Sequence, residues 1–189
     1  MSNTPPELTL LVEQMATTDS EDAYRKLFGL LFGPILKFTR GFVKSEEAAE
    51  EIASDVLLML WQRRHTLTEV RNVKHYAFIS ARNMALNYIR KQSGKSVVSL
   101  DEVDVDISVS ASASPEAILI QGEMKAGLDR AIEKLPNQAK LVFKLVKEEG
   151  FSYKETADIL GISPKTVDAH LVNAVRKLVH ILKQEFNLI

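Results

Sequence analysis

Lys165, Thr166, Ala169, His170, Asn173, Arg176 and Lys177 recur at steps of one, three and four residues through PKTVDAHLVNAVRKL, residues 164–178. On a helix such steps put side chains on one side. Cations, an amide, a hydroxyl and one small residue can together reach base edges and phosphates in a DNA major groove. His170 is equally a surface or packing residue, so its spacing alone assigns it no base. A second set lies in residues 70–100, which contain no Asp or Glu. Here Arg71, Lys74, Arg82, Arg90 and Lys91 interleave with His75, Tyr76, Phe78 and Tyr88, and with Asn83 and Asn87. Basic groups can follow a phosphate backbone, and exposed aromatics can stack on unpaired bases. Phe78, and in part Tyr88, are expected in the core. A third set is acidic: Glu47, Glu51 and Asp55 share one helical face, flanked by Glu46 and Glu50. Such a face either lies in solvent, aligned with the helix dipole, or docks on a partner helix. The spacing alone favours the solvated reading.

The elements that hold these groups read as helices. Ser152-x-x-Glu155 has the form of a capping box, and Gly161 can take the left-handed turn that ends the helix it starts. Ser163-Pro164 supplies a second N-cap with proline at the first helical position. Two helices joined by so short a turn make a helix-turn-helix. Ala157 is small where they must approach, Ile162 plugs the turn, and Val167, Leu171, Ala174 and Leu178 form a buried stripe. Earlier in the chain, Ala49, Ile52, Val56 and Leu60 face inward from the acidic helix. Phe78, Ala81, Ala85 and Tyr88 repeat the helical spacing. The one β-like piece is Ser96 to Leu100.

The stretch KSVVSLDEVDVDISVSASASP, from Lys95 to Pro115, is acidic, Ser-rich and without helical period, which marks a flexible linker. The expected architecture is all-α: an extension over residues 1–21 with no motif that assigns it a role, a helical domain over 22–95, a linker over 96–115, and a second helical domain with the helix-turn-helix over 116–189. The net charge of −1 over 189 residues is a cancellation. By segment the charges are −4, +6, −4 and +1. A basic first domain is therefore offset by an acidic extension and linker.

Several classes are disfavoured. With no cysteine, no disulfide framework or thiolate metal site is expected. The first basic residue is Arg25, so the start lacks the charged region of a secretory signal, and no apolar run is long enough to span a membrane. These point to a cytoplasmic protein. His65, His75, His170 and His180 are scattered, with no metalloprotease, phosphate-loop or nucleophile-elbow motif, so neither an enzyme nor a cofactor nor a small-molecule substrate is expected.

In this order, an acidic helix, a basic aromatic helix, an acidic linker and a helix-turn-helix, the chain resembles a bacterial extracytoplasmic-function sigma factor. SEEAAEEIASDVLLMLWQRR is similar to the family's core-polymerase docking helix, NVKHYAFISARNMALNYIRKQ to its −10 promoter segment, and LPNQAKLVFKLVKEEGFSYKETADILGISPKTVDAHLVNAVRKL to its −35 domain. The resemblance covers about residues 22–180. It implies that Glu47, Glu51 and Asp55 dock on the clamp helices of the polymerase largest subunit. It implies −10 contacts from Arg71, Lys74, His75, Tyr76, Arg82, Asn83, Asn87, Arg90 and Lys91, around a flipped base. It implies −35 contacts from Lys165, Thr166, Ala169, His170, Asn173, Arg176 and Lys177, while the other side of that helix meets the polymerase flap. It also implies an anti-sigma factor. Two alternatives stand beside it: a regulator of the response-regulator output type, which would need an α/β receiver that residues 1–95 do not show, and a helical interaction adaptor, which would leave the helix-turn-helix unexplained.

Overall fold

The structure is a computed structural model that describes residues 6–93 and 119–185. The β-like piece at 96–100 and the linker at 96–115 lie outside the described residues. Those described residues form eight α-helices: α1 (Pro6–Thr18), α2 (Glu21–Thr39), α3 (Glu46–Gln62), α4 (Val73–Ser93), α5 (Leu119–Glu133), α6 (Asn137–Phe143), α7 (Tyr153–Leu160) and α8 (Pro164–Glu185). A 3-10 turn at Leu67–Glu69 precedes α4, and a π-helical turn at Lys144–Glu148 continues α6.

The helices α1 to α4 make a first lobe, in which α2 packs on α3 and both pack on α4. Ser20 and Ser45 start α2 and α3 by accepting from the amides of Ala23 and Ala48. Each such cap contributes about 1 kcal/mol. The inward stripes foreseen from spacing are buried, with Ala49, Val56, Leu60, Phe78, Ala81 and Ala85 at no exposure. The hydroxyl of the buried Thr39 lies 3.0 Å from the Leu36 carbonyl and 3.2 Å from that of Ala49, tying the end of α2 to α3. The first helix is the surprise of this lobe. Leu8, Leu11, Val12 and Met15 are buried against α2 and the 3-10 turn. Near its end Asp19 holds Arg64, and the Ala16 carbonyl meets His65 Nδ1 at 3.0 Å.

The second lobe is built on α8, which packs on α5, α6 and α7. Its outer cluster joins Ala131, Ile132, Leu135 and Ala139 to Ala174 and Leu178. Lys140 is almost wholly buried between these helices and pairs with Glu133 at 2.9 Å, as Lys144 does at 3.2 Å. The rest of the lobe shares a continuous apolar cluster with the first: Leu145, Phe151, Ile159, Leu160 and Val167 belong with Phe78 and Leu60. The two lobes meet where α7 crosses α4.

Candidate nucleic-acid interface and acidic face

The helix-turn-helix forms by the local rules its sequence announces. Ser152 Oγ accepts from the Glu155 amide at 3.2 Å, and the Glu155 carboxylate accepts from the Ser152 amide at 2.9 Å, closing the capping box. Gly161 ends α7 at φ 67°, a left-handed conformation that glycine adopts without the Cβ penalty. Ser163 Oγ then accepts from the Thr166 amide at 3.0 Å and starts α8 at Pro164. The stripe Val167, Leu171, Ala174 and Leu178 is buried. Opposite it, Lys165, Ala169, Asn173, Arg176 and Lys177 are exposed, and Thr166 and His170 are half-buried. Thr166 is partly committed, because its hydroxyl pairs with that of Ser163 at 2.7 Å. A third face carries Val172, Val175 and Val179, each 43–50% exposed.

The first lobe treats its basic set differently. Asn72, which spacing did not single out, caps α4 through a 3.0 Å bond from the His75 amide to its Oδ1. Its amide nitrogen donates 2.8 Å to Glu155 of the second lobe. Lys74 Nζ reaches the Glu149 carboxylate at 2.8 Å and the Glu149 carbonyl at 2.9 Å, and stands 5.2 Å from the Phe151 ring centroid. His75 is tilted against Phe151, and its buried Nε2 has no hydrogen-bond partner among the described residues. Arg82 lies with its guanidinium against Gly161, and its Nε is likewise buried without a partner among them. Burial lowers the pKa of Arg82 from its ordinary value, and the charge of Arg90 adds to this.

The other members of the set stay accessible. Arg71, Asn83, Asn87, Arg90 and Lys91 are exposed, and Arg90 donates to Asn87 at 3.0 Å. Half-buried Tyr76 receives a 2.9 Å bond from Arg63, a second residue that sequence reasoning passed over. Tyr76, Asn83, Asn87 and Arg90 follow at seven, four and three residues, one side of α4. The structure therefore divides the set: Lys74, His75 and Arg82 against the second lobe, Tyr76 half-buried, and Arg71, Asn83, Asn87, Arg90 and Lys91 exposed.

On α3, Glu47, Glu51 and Asp55 are all exposed, and Leu58 stands 47% exposed one turn beyond Asp55. A hydrogen bond from the Ser45 hydroxyl, and one from its own amide, hold the Glu47 carboxyl below its ordinary pKa. Glu46 is turned away into an ion pair with Arg40. Among the described residues no group of three or more His, Asp or Glu could hold a metal ion, and no helix is long and apolar enough to cross a membrane.

Comparison with known proteins agrees with this geometry. The family model described as Sigma-70 region 2 matches residues 27–95, and the one described as Sigma-70, region 4 matches residues 125–178. The chain is 21% identical over 170 residues to the ECF RNA polymerase sigma factor SigX of Bacillus subtilis, covering 87% of this chain and 88% of that protein. It is 24% identical over 160 residues to the ferric citrate uptake sigma factor FecI of Escherichia coli, covering 85% and 91%. Among solved structures it resembles the sigma factor RpoE in complex with the anti-sigma factor NepR from Bartonella quintana, with TM-score 0.58, 21% identity and coverage of 85% and 96%. It also resembles CnrH in complex with the cytosolic domain of CnrY, with TM-score 0.55, 18% identity and coverage of 95% and 99%. At these identities the solved structures speak for the fold alone. The two sigma-70 matches together span well over half of the sequence, in the order that α3, α4 and the α7–α8 unit set out in space, and the chain belongs to the sigma-70 family as an RNA polymerase sigma factor of the extracytoplasmic-function type.

Proposed function

We propose that the first lobe docks on the clamp helices of the polymerase largest subunit through Glu47, Glu51 and Asp55, with Leu58 adding an apolar contact. In this reading residues 22–95 act as region 2 and melt the −10 element. Arg71, Lys74, His75, Tyr76, Arg82, Asn83, Asn87, Arg90 and Lys91 surround the separated strand and its flipped base. Residues 116–189 act as region 4. Lys165, Thr166, Ala169, His170, Asn173, Arg176 and Lys177 enter the −35 major groove, and the remaining side of α8 meets the polymerase flap. Residues 96–115 join the two regions, and α1 braces the first. The protein works in the cytoplasm, catalyses nothing itself and is held by an anti-sigma factor until needed. The likeness to the sigma factor RpoE, solved with the anti-sigma factor NepR, supports that last point.

One observation carries the reading: a single chain combines a helix-turn-helix whose two helices are each N-capped and whose second helix is exposed with an acid-free basic helix and an acidic face on the helix before it. Added to bacterial core polymerase, the purified protein is expected to direct transcription from a discrete promoter. Tight promoter binding by the protein alone, with no binding to core, overturns the reading. Within it, Glu51→Lys with Asp55→Lys is expected to weaken core binding while the fold stays intact, since both side chains are exposed. Unchanged affinity rejects that face.

A further inference from the structure

We propose that Asp19 is a positioning residue for −10 reading, acting through Arg64 to fix the end of α3 and the loop that runs from it to α4. This role rests on the promoter-binding reading of α4 and of Arg71 before it. Asp19 is the one residue between α1 and the Ser20 cap of α2, and it turns the chain at φ 51°. Among the described residues no other non-glycine residue has a positive φ. Glycine takes that conformation without a Cβ penalty, whereas aspartate takes it at a cost. The turn alone needs no carboxylate, yet the carboxylate is used. It accepts from Arg64 Nε and stands 3.4 Å from His65 Nε2, while His65 Nδ1 donates to the Ala16 carbonyl at 3.0 Å. The hydrogen bond from Arg64 holds the Asp19 carboxyl below its ordinary pKa. Backbone strain kept in place by such contacts gathers where geometry serves function.

Arg64 is held on several sides. Besides the Asp19 carboxylate it meets the Trp61 carbonyl, 3.1 Å from Nη1, and its guanidinium lies 4.4 Å from the centroid of the Trp61 ring. Arg63, its neighbour, goes the other way and donates to the Tyr76 hydroxyl on α4 at 2.9 Å. Two adjacent cations thus leave the end of α3 in different directions, one back to the α1–α2 turn and one forward to the −10 helix. The loop continues under the same control. The Thr66 hydroxyl donates to the Arg63 carbonyl at 3.0 Å, and buried Leu67 opens the 3-10 turn that packs on α1. Arg71 and Tyr76, both in the −10 set, follow directly. A binding constellation keeps its geometry only when such supporting contacts lock the side chains that form it. A carboxylate has nothing to offer a phosphate, so Asp19 serves the site through Arg64 and not by touching DNA.

The test compares the full wild-type chain with Asp19→Gly, Arg64→Gln and the double variant. Asp19→Gly removes an exposed carboxylate and relieves the left-handed turn, so melting temperature and affinity for core polymerase should stay at their wild-type values. Trp61 is the sole tryptophan and Arg64 covers its ring, so acrylamide quenching of the free chain should rise in Asp19→Gly. With core polymerase added, each protein selects from a single-stranded DNA pool of random sequence. At the position the wild type selects most strongly, preference for the best base over the next should fall about tenfold in Asp19→Gly, the scale of one base contact. Arg64→Gln should show the same fall, and the double variant no further one, because the two residues act as a unit. Unchanged preference in Asp19→Gly, or losses that add in the double variant, overturn the assignment. So does a loss of preference matched by falls in melting temperature and core affinity, which marks Asp19 as a brace of the fold only. A wild-type holoenzyme that selects no sequence loses the promoter reading and this role with it, whereas a selective wild type whose preference survives Asp19→Gly loses this role alone.

Discussion

Helices α4 and α8 carry similar chemistry and meet opposite fates. Both are long, both combine Arg, Lys, Asn and His, and both rest on a buried stripe of small and aliphatic residues. On α8 five of the seven candidate side chains stand in solvent. On α4 the set is split, because Lys74, His75 and Arg82 face a lobe whose nearest residues lie some 75 to 83 positions away in sequence. The caps and turn of the α7–α8 unit are specified by residues a few positions from one another. The availability of the −10 helix is specified by a contact that no local pattern encodes. Two helices of like composition thus differ in what covers them, one open to solvent and the other packed in part against a second lobe.

The comparison is tested hardest at the seam. Phe78 has no exposure, fills the first lobe and meets Phe151 across the junction. Phe78→Ala should cost about 3–5 kcal/mol of stability, read from denaturant melts. If the loss stays near 1 kcal/mol, the seam is loosely packed and α4 is more committed than α8 by only a small margin. Arg176 tests the opposite pole. It is exposed on α8 with nothing to free it from, so Arg176→Ala should cost about 1–3 kcal/mol in −35 recognition, measured by promoter competition, if it reads a base. No change at any promoter places Arg176 outside the interface. Gly161 belongs to both poles, since it makes the turn before α8 and leaves room for Arg82. Gly161→Ala forces a left-handed alanine, about 1–2 kcal/mol by thermal melt. Its methyl also meets the Arg82 guanidinium, so Gly161→Ala should cost less in a chain that also carries Arg82→Ala. Equal costs in the two backgrounds would show that Arg82 gives way and that the turn alone needs the glycine.

How much of this could be read from the sequence follows the same division. The caps and turn made by Ser152, Glu155, Gly161 and Ser163 act within four residues, and each does in space what its spacing announced. The stripes of α3 and α8 were legible because a helical period determines which face is buried. The helix α1 was legible too and was passed over: Leu8, Leu11, Val12 and Met15 repeat at three, four and seven residues, yet no motif drew attention to them. Other features had no local signal. Asn72 caps α4 locally, but its bond to Glu155 needs the second lobe in place. Glu155 reads only as half of a capping box and Glu149 carries no signal, because nothing near them shows the Asn and Lys they meet across the seam. The three candidates that the second lobe covers were identified by type and period, which say what a side chain can bind and nothing about what already binds it.

The smallest expected effect bears on the residue that joins the local rule to the distant one. The Glu155 carboxylate accepts from the Ser152 amide at 2.9 Å, the Ser152 hydroxyl at 2.7 Å and the Asn72 amide at 2.8 Å. Partial burial pushes its pKa up, but these bonds outweigh burial, with His75 assisting, and hold it below the ordinary value of 4.5. A carboxylate depressed in the folded state stabilises the fold above its unfolded pKa and loses that contribution as pH falls through the folded value. The melting temperature of the wild type should therefore drop in acid more steeply than that of Glu155→Gln, which carries no titrating group there. Asn72→Ala divides the effect. It removes the bond across the seam and leaves both Ser152 bonds, so the acid sensitivity due to Glu155 should shrink without vanishing. If Asn72→Ala leaves that sensitivity unchanged, the carboxylate serves the cap alone, and the seam is held by Lys74 and the two phenylalanines without it.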